Sequence, residues 1–229
     1  PSTPGANQEG LRARGLFFAN AKDVRLEDFS LRDAACWGIV LKCVDGVVAR
    51  RVKIDNHANY NNDGFDVEAR NAVFESCDVD ASDDAFVLKS NDARFVVENV
   101  LITNCIARSH CYAYKLGTAS HGTMRNVSVV DSKALPPRRD FLVGDSPGPH
   151  NGKKGQPFWA SRMGYDRYPA GCGAGSLAVE CVDGGAVEDV LFENIEVSGA
   201  TVPIFVRGGT RKGRSNGIRP GSRYVLRNI

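Results

Sequence analysis

Residues 61–90 read NNDGFDVEARNAVFESCDVDASDDAFVLKS, and two segments within them, Asp63-GFDVEA and Asp84-AFVLKS, are copies of one pattern. Each has a small residue second and apolar residues third and fifth. The same pattern recurs upstream at Arg14-GLFFAN and Trp37-GIVLKC, and downstream at Tyr112-AYKLGT, Gly175-SLAVEC and Val202-PIFVRG, the last with Pro second. Successive copies are 23, 26, 21, 28, 63 and 27 residues apart, so all but one spacing is that of a single solenoid coil. The long interval contains an insertion over residues 134–174.

Between the copies lie further strand-like runs, among them DGVVARRVKIDN, VENVLITNCIARS and VEDVLFENIEVSG, rich in Val, Ile, Phe and Asn. Period-2 alternation over such short runs reads as strand, and no 3.6-period stretch is long enough to supply a helix that would cover a flat sheet. Coiling the strands into stacked rungs satisfies both facts. The sequence therefore predicts an all-β right-handed parallel β-helix of about seven coils, one domain over residues 1–229, each coil burying its apolar side chains on the next at ~4.8 Å. It reads as a segment of a longer β-helix.

Aligning the copies sets the columns. Leu16, Ile39, Phe65, Phe86, Tyr114, Leu177 and Ile204 form one inward stack, and Phe18, Leu41, Val67, Leu88, Leu116, Val179 and Val206 a second. By strand alternation, Val40, Asp66, Val87, Lys115, Ala178 and Phe205 face outward, as do Lys42, Glu68, Lys89, Gly117, Glu180 and Arg207. Charges of both signs on that outer face suit a binding surface better than a merely solvated one, which would also be charged.

The composition is that of a folded domain, with 42% apolar and 24% charged residues. Lys and Arg number 29 against 27 Asp and Glu, so a net charge of +2 gives no global field for nucleic acid. No apolar run approaches the ~18 residues of a membrane span. The seven cysteines are odd in number and lack paired zinc spacing, and no metal spacing links the four histidines. Cys77 and Cys105 hold equivalent positions in adjacent coils and read as stacked buried thiols, and Asn126-Val-Ser is a lone glycosylation sequon.

The chemistry concentrates where the reading began. Asp63 and Asp84 open successive coils about one strand spacing apart, and Asp83 lies beside them, so three carboxylates converge. Packing three anions raises at least one pKa, as general acid work requires, and replacing a member is expected to relieve repulsion. A regular strand would send Asp83 and Asp84 to opposite faces, so a bend before Ala85 is needed.

The pairing of Asn-Asn-Asp-Gly with Asp-Asp-Ala-Phe-Val-Leu-Lys-Ser one coil later resembles glycoside hydrolase family 28, the polygalacturonases and their relatives, whose pattern is Asn-Thr-Asp, then Gly-Asp-Asp, then Lys-Ser. Asp28-FSLRDAACWGIVLKC, Lys115-LGTASHGTMRNVSV and Val182-DGGAVEDVLFENIEVSGATVPIFVRGG extend the similarity over nearly the whole chain. The resemblance implies that Asp83 is the general acid and that Asp63 and Asp84 hold and deprotonate the attacking water in an inverting displacement, without cofactor. It also implies an acidic, galacturonate-containing polysaccharide or oligosaccharide as substrate, a secreted or periplasmic location, and a monomer with neither nucleic-acid nor membrane partners.

There are departures from the family pattern. The histidine of the family's Gly-His-Gly falls on Tyr112, with His110 two residues earlier, and the basic residues of its Arg-Ile-Lys fall on Ala178 and Glu180. Lys115, one coil from Ala178 in the same column, is placed to replace the lost charge. Lys115, Tyr112, His110, Glu180, Arg207 and Lys89 are thus the candidates for substrate binding, on a pectic or uronic-acid linkage other than plain polygalacturonan. The insertion, with Arg138, Arg139, Lys153, Lys154, Trp159, Arg162, Tyr165, Arg167 and Tyr168, reads as a cleft wall or as a plain surface excursion. The run from Arg207 to Arg223 carries six basic residues and no acid, suited to a polyanion. A polysaccharide lyase using a basic residue and Ca²⁺, or a non-catalytic carbohydrate-binding or structural β-helix, are the alternative readings.

Overall fold

Alternation along Phe65–Glu75, Phe86–Ser90 and Tyr112–Ser120 puts every second side chain on one side, and the registers Phe65↔Phe86 and Phe86↔Tyr114 stack those side chains in line. The computed structural model describes residues 12–58, 61–139, 173–210 and 222–229. Among these the chain is all strand and turn, every strand pairing is parallel, and the strands wind into a β-solenoid of about six turns.

Three faces result. The first is built from Leu16–Ala19, the front halves of Ile39–Arg50 and Phe65–Glu75, then Phe86–Ser90, Tyr112–Ser120, Gly173–Cys181 and Ala200–Gly208. Its registers are those of the aligned repeat: Leu16↔Ile39↔Phe65↔Phe86↔Tyr114↔Leu177↔Ile204. The second face carries the remainder of the long strands with Lys22–Glu27, Val97–Thr103 and Tyr224–Arg227. The third contains Ser30–Arg32, Lys53–Asn56, Asp78–Ala81 and Ile106–Ser109.

The coil turns its corners through single residues in the left-handed region, which Asn and Asp tolerate because a short polar side chain bonds locally. Asn71, Asn99 and Asn126 are such corners, with φ of 56°, 56° and 51°. Their amides form a ladder, Asn126 donating to Asn99 at 2.8 Å, Asn99 to Asn71 at 3.0 Å and Asn71 to Asp45 at 2.9 Å. The recurrent Asn of the sequence is therefore corner chemistry, and the Asn126 amide is engaged in it.

Inside, Phe65 and Phe86 stack at 5.2 Å between ring centroids, Phe86 and Tyr114 at 5.5 Å, and Phe74 meets Phe65 edge-on at 5.1 Å. Buried aromatic hydroxyls need partners. Tyr114 donates to the Cys105 and Lys133 carbonyls, both at 3.1 Å. Tyr114→Phe keeps the ring stack and should cost about 0.5–1.5 kcal/mol in a urea titration; an unchanged midpoint would show that those carbonyls are otherwise satisfied. Cys77 and Cys105 are free, buried and adjacent, the Cys77 amide donating to Cys105 Sγ at 3.4 Å.

Two expectations need correction. Ile204 and Val206 keep the inward register but are 42% and 53% exposed, since no described rung of that face follows them. The outward columns are solvated only in part: Asp66, Val87, Lys115, Ala178 and Glu180 are buried, while Lys42 and Arg207 are exposed. Stacked side chains at rung spacing cover one another, and opposite charges there pair. Of the insertion, residues 140–172 lie outside the described residues, as do residues 211–221 of the basic run.

Candidate active site

Asp63 sits in the turn that enters Phe65–Glu75, held by a buried amide pair. Asn62 Nδ2 donates to Asn56 Oδ1 at 2.6 Å, and Asn56 Nδ2 donates to the Asp63 carbonyl at 2.8 Å. Gly64 lets the next coil approach, because a Cβ there would lie 2.3 Å from Val79 Cγ1 and 2.4 Å from the Ala85 carbonyl oxygen. Its amide donates to the Asp84 carbonyl at 2.8 Å, tying the two acidic turns together.

Asp83 and Asp84 occupy the bend between Asp78–Ala81 and Phe86–Ser90, where the sequence required one. Ser109 Oγ donates to the Asp83 carbonyl at 2.6 Å, and the Asp84 amide donates to Asp83 Oδ1 at 2.9 Å. Asp63 and Asp84 are buried, and Asp83 is partly so. Burial, then the charges of Asp63 and Asp84, push the Asp83 carboxyl from an ordinary 3.8 up to about 8. Burial also raises Asp63, against the pull of Lys89.

Two lysines answer the other acids. Lys89 Nζ lies 3.1 Å from Asp63 Oδ2, bonds Asp66, and rests 4.0 Å above the centre of the Trp37 ring. Lys115 Nζ lies 3.1 Å from Asp84 Oδ2 and 3.5 Å from Glu180 Oε1, with the Tyr112 ring centre at 4.6 Å. Lys115 is buried and Lys89 half-buried, and both amines are held protonated, the surrounding carboxylates outweighing desolvation. Asp63 Oδ1 and Asp84 Oδ1 are buried without a hydrogen-bond partner, so each carboxylate keeps one oxygen available for a donor.

The substrate-binding candidates divide. Lys89, Lys115, Tyr112, Glu180 and Arg207 line the same face, Tyr112 stacking on Phe205 at 6.1 Å and Arg207 reaching Glu180 at 3.8 Å. His110 turns elsewhere: Nε2 bonds the Arg139 carbonyl at 2.7 Å, and the ring meets His57 edge-on at 5.8 Å. Lys115 does not stand free as a clamp, since Asp84 and Glu180 already take its charge.

Sequence reasoning passed over three residues. Cys111 places its thiol within 4.8 Å of oxygens of Asp83 and Asp84, themselves that close, a grouping of side chains of the kind that could hold a metal ion. Asp66 shares Lys89 with Asp63, a role signalled by its place in the column beside Lys89. Trp37 opens its repeat copy where an acid opens two others, and it helps to line a cavity of about 490 Å³ beside Lys89.

No protein-family model matches this chain, and no curated protein sequence matches it. Among solved structures it is similar to endopolygalacturonase I from Stereum purpureum, complexed with two galacturonate, at 13% identity and a TM-score of 0.40, over 90% of this chain and 68% of that one. That is a likeness of fold, and the chemistry of the present site rests on its own residues.

Proposed function

We propose that the protein is a glycoside hydrolase acting outside the cytoplasm on an acidic, galacturonate-containing polysaccharide, with Asp83 as general acid and Asp63 and Asp84 seating and deprotonating water. The observation that carries the reading is the contrast within the trio. Asp83 makes no ion pair with either lysine, and burial with its acidic neighbours pushes its carboxyl up to about 8, whereas Asp63 and Asp84 each have an ammonium 3.1 Å from one carboxylate oxygen. Titratable groups whose surroundings push them apart divide acid from base.

Hydrolysis is favoured over β-elimination by the state of the lysines. Elimination needs a base to take the sugar's ring proton, and Lys89 and Lys115 are held protonated by their carboxylate neighbours. A reducing-end assay of the full chain across pectic backbones tests the reading; release of unsaturated, ultraviolet-absorbing ends, or of no new ends on any backbone, would overturn it.

The geometry also bears on stereochemistry. An inverting pair leaves roughly 6.5–9.5 Å between carboxyls for water. Oxygens of Asp83 and Asp84 come within 4.8 Å, so in this reading the water seat lies towards Asp63, with Asp84 orienting it. Proton NMR of the fresh product should show inversion. Retention would instead make Asp83 and Asp84 an acid and nucleophile pair.

A further inference from the structure

The cations expected to recognise an acidic sugar are already engaged. Lys89 faces Asp63 and Asp66, Lys115 faces Asp84 and Glu180, and Arg207 faces Glu180. The cavity beside Lys89 differs. It climbs the first face from Phe17 on the first rung, past Trp37 and Lys42 on the second, to Lys89 and Asn91 on the fourth, about three rung spacings or ~14 Å. Asp63 and Asp84 stand at the entrances of the third and fourth of those rungs, so one extended chain can reach both places.

Its exposed charged group is a cation, Lys42, while the lining acids Asp66 and Glu68 are buried. Arg14 makes no ion pair among the described residues: its guanidinium lies 4.9 Å from the Trp37 ring centre, its Nη1 donates to the Arg12 carbonyl at 3.4 Å, and its Nε is buried without a partner. Lys42 is exposed, with no carboxylate within ion-pair distance among the described residues although its charge reaches Asp92, and Asn91 is exposed. The two lining acids are each engaged through one oxygen, Glu68 Oε1 accepting from the Asn91 and Asp92 amides, both at 2.7 Å, and Asp66 Oδ1 holding Lys89, while Glu68 Oε2 and Asp66 Oδ2 are buried without a partner. Phe17, 56% exposed, supplies an apolar platform. About 490 Å³ lies within the range of ligand sites.

We propose that this cavity, on the rungs before and beside the acidic trio, binds a carboxylate-bearing sugar of the polymer, with Arg14 and Lys42 as the residues that select its charge. The inference rests on the glycosidase reading only for the identity of the polymer. An aromatic platform accepts a pyranose face, and the two cations discriminate a uronate from its neutral counterpart, because a guanidinium and an ammonium bond a carboxylate more strongly than an ester.

The test is calorimetric binding of trigalacturonate and of its full methyl ester, which loses the carboxylate charges and gains a methyl group on each, to the full-length Asp83→Asn protein so that nothing turns over. At low salt the free acid should bind about tenfold more tightly, and Arg14→Gln with Lys42→Gln together should abolish the preference. Arg14→Lys should retain most of it, and high salt should weaken it in the parent. An unchanged preference in the double variant, or equal binding of acid and ester by the parent, overturns the inference. Reducing-end release by the Asp83-containing protein is scored separately. Charge-selective binding without hydrolysis would sink the glycosidase reading alone; hydrolysis with a preference indifferent to Arg14 and Lys42 would sink the cavity alone.

Discussion

Asp83→Asn is expected to lower kcat by about 10²–10⁴-fold on the best substrate while leaving the protein folded, because the departing glycosidic oxygen loses its proton donor. The same variant should melt at or above the parent temperature at neutral pH. Asp83 makes no ion pair with Lys89 or Lys115, and its ionised form is opposed by burial and by two neighbouring acids. With its pKa raised from 3.8 to about 8, the folded state retains a proton over that window which the unfolded chain releases. Its contribution to stability is therefore complete below the unfolded value and is lost as pH rises through about 8. Melting curves across that window should fall less steeply with pH in Asp83→Asn, and the parent's activity should decline on the alkaline side near the same value. Retained activity, or a lower melting temperature with an unchanged pH slope, would move Asp83 from chemistry to turn structure.

Lys115→Met should destabilise the protein by about 3–5 kcal/mol at pH 7, since it leaves Asp84 and Glu180 buried with no ammonium between them. The deficit should shrink on acidification. Carboxylates stranded in this way have folded pKa values above their unfolded ones, so stability is present at low pH and lost as pH rises through the raised values. Urea midpoints at pH 5 and pH 7 measure it. A surface clamp would behave otherwise, with a raised KM and an unchanged midpoint. The same pairs revise the expectation that removing any of the three acids relieves repulsion. Asp63→Asn and Asp84→Asn each take a partner from a lysine, leaving Asp66 or Glu180 as the remaining one, so relief is expected at Asp83 alone.

Much of the fold was legible because one coil is one sequence repeat. Aligning Phe65, Phe86, Tyr114 and Leu177 by pattern is the same operation as aligning them by rung, and the registers agree residue for residue. The Asn-rich corners were visible as composition but not as ladders, since a left-handed residue is a property of where the coil bends. His110 was placed by proximity in sequence to Tyr112, yet adjacent turn residues point apart, and its ring joined His57 on another face.

The sequence by itself determined the coil, its inward columns and the meeting of Asp63, Asp83 and Asp84, because each follows from spacing and strand alternation, which are local. Only the tertiary structure decided which charges remain available. Lys89 and Lys115 look like free cations along the chain, but carboxylates 23 to 65 residues away in sequence lie one rung away in space and neutralise them, whereas Arg14 and Lys42 make no ion pair among the described residues. Ion pairing depends on distances of a few ångströms between side chains of different coils, and a linear pattern carries their order without those distances.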